Sequence, residues 1–158
     1  MKNSPLQQHL LNLLDFEGAH VGFDKAVQGL PAELRRKKVK GFPHTAWQLV
    51  EHLRIAQWDI LEFSRNANHV SPNWPEGYWP QSSAPANDAA WKKSIASFRR
   101  DLDEMKKLVA EADEQKLYER IPHGDGQTLL REALLIADHN SYHLGQLVTL
   151  RKMLGAWK

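Results

Sequence analysis

Apolar residues recur at three- and four-residue steps through four stretches of the chain, and no stretch alternates with period two for long, so the pattern predicts helices and no strands. The first stretch runs from Pro5 to Gln28, with Ser4 as its cap and Pro5 at the first helical position. Gly18 and Gly22 inside it each cost roughly 1 kcal/mol relative to alanine, which marks where this helix bends or packs closely. The second runs from Thr45 to Arg65, where Thr45 and Gln48 have capping-box spacing and Pro43 stands upstream. Its inward stripe is Leu49, His52, Ile55, Ala56, Asp59 and Phe63. The third begins after Asn87-Asp88 and continues to about Glu111, on a stripe of Trp91, Ile95, Phe98, Leu102, Met105 and Val109. The fourth follows Asp125-Gly126 and runs to about Met153, with Gly155 placed to stop it. An all-α fold is expected, most simply a four-helix bundle.

The connection from Asn66 to Ala86, NANHVSPNWPEGYWPQSSAPA, exceeds the roughly 12 to 15 residues beyond which structureless loops become rare. Disordered linkers are poor in aromatic residues, and this segment carries Trp74, Tyr78 and Trp79. A helix of about 22 residues is about 33 Å long, and about 20 extended residues reach twice that. The segment is therefore long enough to cross the bundle and let the second and third helices run parallel. That predicts an up-down-down-up bundle with the three aromatic residues draped over other helices. The shorter connection from Gly29 to His44 is charged, and LPAELR within it has the makings of a helical turn.

Composition narrows the chemistry. A length of 158 residues suits one domain, residues 1–158, with a core that needs no staples. There is no cysteine, which removes disulfides, thiolate ligands and cysteine nucleophiles and suits a cytoplasmic protein. The opening MKNSPLQQHLLNLL reads as neither a signal peptide nor a membrane span. A net charge of +2 implies no polyanionic partner, and Arg35-Arg36-Lys37-Lys38-Val39-Lys40 reads as a solvated cationic loop before it reads as a phosphate patch. No nucleic-acid-binding motif is present. Six tryptophans are many, and such surface packs a core, lines a pocket or forms an interface.

Within the last helical pattern lies ADHNSYHLGQL, residues 137–147, with His139 and His143 four apart. Side chains at that spacing stack on one helix face, so two imidazoles can aim at one point. Zinc and nickel accept imidazole nitrogen, and such a pair ordinarily takes a third ligand from another element. His52, in the apolar stripe of the second helix, is the candidate. A lone buried histidine is more often a hydrogen-bonded core residue, and the paired spacing also occurs on solvated faces. Only the conjunction of the three on inward stripes favours a metal site. The pair is not the HExxH of zinc peptidases, because Asn140 stands where that motif carries glutamate. Tyr142 and Gln146 share the face of the pair, and Asp59 shares the stripe of His52. His44 reads as a helix-boundary residue, while His9, His20, His69 and His123 have no partner at ligand spacing.

The segments PHTAWQLVEHLRIAQWDILEFSRN (43–66), SPNWPEGYWP (71–80) and ADHNSYHLGQLVTLRKMLG (137–155) resemble the DinB-like family, also called the DinB/YfiT metalloenzymes. The resemblance covers nearly the whole chain and is most specific in the last segment. It implies an up-down-down-up four-helix bundle and a divalent metal, commonly nickel or zinc, held by His52, His139 and His143. It also implies homodimers. It supplies no substrate, since some relatives transfer low-molecular-weight thiols, others act as hydrolases or isomerases, and the family label signifies no DNA binding.

The expectation is a metal-dependent enzyme, a hydrolase or thiol S-transferase acting on a small molecule, with Asp59, Trp74, Tyr78, Trp79, Tyr142 and Gln146 around the substrate. The rival reading is a non-catalytic metal- or ligand-binding dimeric bundle with a stress-response or scaffold role. A cavity opening onto the histidines separates the two, because structural sites are closed by protein ligands.

Overall fold

Each long helix begins at a side chain that closes its first turn. In the computed structural model, which describes residues 3–157, the helices are α1 (Pro5–Leu14), α2 (Phe23–Val27), α3 (Ala46–Arg65), α4 (Asp88–Glu111), α5 (Glu114–Tyr118) and α6 (Leu129–Met153). Ser4 with Gln7 and Thr45 with Gln48 form reciprocal capping boxes on α1 and α3. The Asn87 side chain accepts from the Ala90 amide to start α4. Helix α6 starts at Leu129, capped by Thr128, two residues beyond the expected Asp125-Gly126 boundary. Those residues lie instead in a turn, and Gly126 takes a φ of 117° there. Gly155, at φ 68°, follows the end of α6 as the sequence suggests.

The expected first helix, Pro5 to Gln28, is in fact two. α1 ends at Leu14, the chain turns through Phe16 at φ 59°, and α2 begins only at Phe23. Residues between them offer no apolar stripe to the core, so nothing holds a helix there. Phe16 folds back over Gly22, where an added Cβ would lie 3.0 Å from the Phe16 Cβ. The glycine that reads as a bend is the close-approach point of this turn.

All described residues outside helices form turns and loops, with one isolated bridge between Arg120 and Thr128 and no strands. α3 packs on both α4 and α6, α1 packs on α4 and α6, and α5 covers part of α6. Contacts climb together along α3 and α4, from Glu51 with Ser94 through Gln57 with Phe98 to Arg65 with Glu104. They run in opposite senses along α3 and α6, where His52 meets His143 and Gln57 meets Asn140. α1 also opposes α4, pairing Gln7 with the Val109 carbonyl and Asp15 with Lys106. Leu49, Leu53, Phe98, Met105, Ile136, Leu147 and Leu150 fill the space between the long helices, and Phe23 of α2 stacks on Phe98 at 3.8 Å.

The segment from Asn66 to Ala86 holds a single 3-10 turn, Glu76–Tyr78, and is fastened to α3 along its length. His69 and Tyr78 both bond Asp59, the Tyr78 carbonyl meets His52, and the Thr45 hydroxyl donates to the Ser83 carbonyl at 2.8 Å. Thr45 thus caps α3 and ties down the far end of the loop with one fully buried hydroxyl. Thr45→Ala should lower the free energy of unfolding by about 1–2 kcal/mol in urea denaturation, and Thr45→Ser should recover most of it.

Candidate metal centre

The two histidines of α6 and His52 of α3 meet where those helices cross. His52 Nε2 lies 3.1 Å from His143 Nε2 and 3.1 Å from His139 Nε2. One ligand atom from each of the three can be chosen so that all lie within 4.8 Å of one another. His52 and His143 are buried and His139 is half-buried.

Two of the rings have their tautomers fixed from outside. His52 Nδ1 is 2.8 Å from the Tyr78 carbonyl oxygen, which only accepts, so Nδ1 carries the proton and Nε2 a lone pair. His143 Nδ1 donates likewise to Gln146 Oε1 at 2.8 Å. The facing Nε2 atoms of His52 and His143 are then both acceptors with no proton between them. His139 Nδ1 is buried without a partner. Convergent lone pairs repel unless a cation sits among them. Imidazole ligands at about 2.0–2.1 Å from one ion lie about 3.3–3.4 Å apart at tetrahedral angles and about 2.8–3.0 Å apart at right angles. The observed 3.1 Å falls between, so the donor set fits a divalent cation.

Burial also keeps the rings neutral. Desolvation, partly opposed by the Tyr78 carbonyl and reinforced by His143 and His44, lowers the pKa of His52 to about 4. Desolvation and then the neighbouring rings of His143 and His52 lower that of His139 to about 3. Burial lowers His143 as well, against its bond to Gln146.

A cavity of about 460 Å³ opens onto the three histidines. Ala56, Asp59, Ile60, Trp74, Tyr78, Trp79, Leu135 and Tyr142 line the rest of it. Five of the six residues expected around a substrate, Asp59, Trp74, Tyr78, Trp79 and Tyr142, are therefore brought to one space. Gln146 is not among the lining residues and bonds His143 instead. Trp79 lies flat on His52, with ring centroids 3.8 Å apart and planes 2° apart, and His44 stacks on it at 4.0 Å. Trp74 and Tyr142, 74% and 64% exposed, stand at the mouth. Asp59 accepts from the Tyr78 hydroxyl at 2.6 Å and from His69 Nε2 at 2.7 Å. Burial first, then the bond to and charge of Asp59, push the Tyr78 phenol up to about 12, so it remains a donor. Asn140 points away from the cavity, donating to Gln57, whose own amide donates to the Phe98 carbonyl.

Sequence reading missed His44 and His69. Their partners, Trp79 and Asp59, are set by the path of the long loop, and neither spacing carries a helical signal.

A sequence profile of the DinB superfamily matches residues 15–147, and the chain belongs to that superfamily. Searches of curated proteins and of solved structures return no match. A buried three-histidine group of the kind that binds a divalent metal is thus present in a DinB-superfamily helical bundle.

The lowered histidine pKa values have a definite sign. Between about pH 6.5 and about 4 the unfolded chain binds protons that the folded chain refuses, so stability rises with pH across that window and is lost as pH falls through it. The melting temperature of the metal-free protein should fall steeply from about pH 6.5 to about 4.5, and His139→Gln should make that slope shallower.

Proposed function

We propose that the protein is a metal-dependent enzyme, a hydrolase or thiol S-transferase that uses a nickel or zinc ion to act on a small molecule. The observation that carries this reading is the cavity, which reaches the histidines and leaves the proposed ion an open side. A structural site would be closed by a fourth protein ligand, and the metal-ligand cluster found among the described residues contains three. That favours catalysis over a purely scaffolding bundle.

His52, His139 and His143 hold the ion. When bound, it supplies Lewis acidity that lets a water or a thiol ionise near neutral pH. The Tyr78 carbonyl and Gln146 orient two of the ligands by accepting hydrogen bonds from their Nδ1–H groups. Trp79 shields the face of His52, and Trp74 and Tyr142 form a rim that excludes water once a substrate enters. Asp59, Trp74, Tyr78, Trp79 and Tyr142 contact the substrate. Gln146 acts on it through His143.

The reading takes residues 1–158 as one functional domain with its helices up-down-down-up, supported by the parallel register of α3 with α4 and the opposed registers of α1 with α4 and α3 with α6. A homodimer is supported by the apolar side chains Leu134 and Met153 that α6 leaves exposed. A cytoplasmic setting is supported by the lack of cysteine. No described helix is long and apolar enough to cross a membrane.

Elemental analysis of untagged protein, purified without chelator or nickel resin, tests the site. About one nickel or zinc per chain is expected, with His139→Ala and His143→Ala each losing at least about nine-tenths of it, since two imidazoles seldom hold such an ion. Metal content unchanged in either variant overturns the assignment.

A further inference from the structure

Asp59 is a carboxylate in the wall of the cavity, buried to 8% exposure, and its two oxygens accept from His69 and from the neighbouring wall residue Tyr78. Those two bonds fix its orientation, and a carboxylate has roughly four lone-pair directions, of which the Tyr78 and His69 bonds use two. No lysine or arginine lines the cavity. The remaining wall is aromatic and aliphatic, with Trp74 and Tyr142 presenting ring surface. Aromatic faces and a carboxylate with spare lone-pair directions attract cations and repel anions.

Along α3, Asp59 stands seven residues beyond His52, about 10 Å at 1.5 Å per residue. The cavity therefore has two poles, the histidines at one end and a fixed anion at the other. We propose that the substrate is a cationic amine, whose protonated nitrogen is seated on Asp59 against the Trp74 ring while its reacting group lies at the histidines. This rests on the catalytic reading above for the reacting end only. The amine seat is made by residues of this chain and forms with or without a metal.

That independence shapes the test. Tryptophan fluorescence and calorimetry would follow n-hexylammonium and 1-hexanol, which match in length and differ in charge, titrated into metal-free protein. The ammonium should bind at least about ten-fold more tightly, in the range that a desolvated charge-assisted bond with cation–π contacts provides. Asp59→Asn should shrink the difference to about two-fold or less while hexanol binding stays within about two-fold of wild type. Equal binding of the two probes by the wild-type protein overturns the proposal, whether or not the variant folds. So does a preference that survives Asp59→Asn. A chain that shows the amine preference but holds no metal would refute the metal reading and uphold the amine seat.

Discussion

Three imidazole Nε2 atoms are made to converge at a largely buried point, and much of the surrounding structure exists to hold them there. Packing alone would not select this arrangement, since apolar side chains at the same positions would fill the crossing of α3 and α6 without leaving buried nitrogen atoms unmatched. The cost is visible in His139 Nδ1, which has no partner, and in pKa values near 3 and 4 for two of the rings. A cation at the point of convergence turns that cost into binding free energy. Ligands already neutral and already oriented lose little on coordination, so rigidity and affinity come from the same contacts.

The long loop is the second half of the device. Parallel α3 and α4 require a connection that travels the length of the bundle, and this one passes over the histidines on its way. It supplies a carbonyl that fixes the tautomer of His52, an indole that covers the face of the same ring, and a phenol that holds Asp59. Asp59 in turn fastens the loop to α3 at two points. Topology thus places the loop, and the loop completes the site.

Much of this was legible from residue spacing. The Ser4 cap, the Thr45–Gln48 capping pair and the Asn87-Asp88 boundary mark helix starts found in the structure, because such signals are local and span about one helical turn. The pair His139 and His143 was legible for the same reason. What sequence could not show was made by tertiary contacts. The break between Leu14 and Phe23 depends on Phe16 packing over Gly22, and the roles of His44 and His69 depend on where a loop of irregular geometry lays Trp79 and returns past Asp59. Asn140 looked like a departure from a catalytic motif, whereas in the fold it is a buried partner of Gln57.

The most direct measurement of the central claim is X-ray absorption at the metal edge of protein loaded with one equivalent of Zn²⁺ or Ni²⁺. The account predicts three imidazole ligands at about 2.0–2.1 Å, with their outer-ring scattering, together with at least one further light-atom ligand that is not imidazole. A first shell containing fewer than two imidazoles, or one closed by four protein nitrogens, would contradict it.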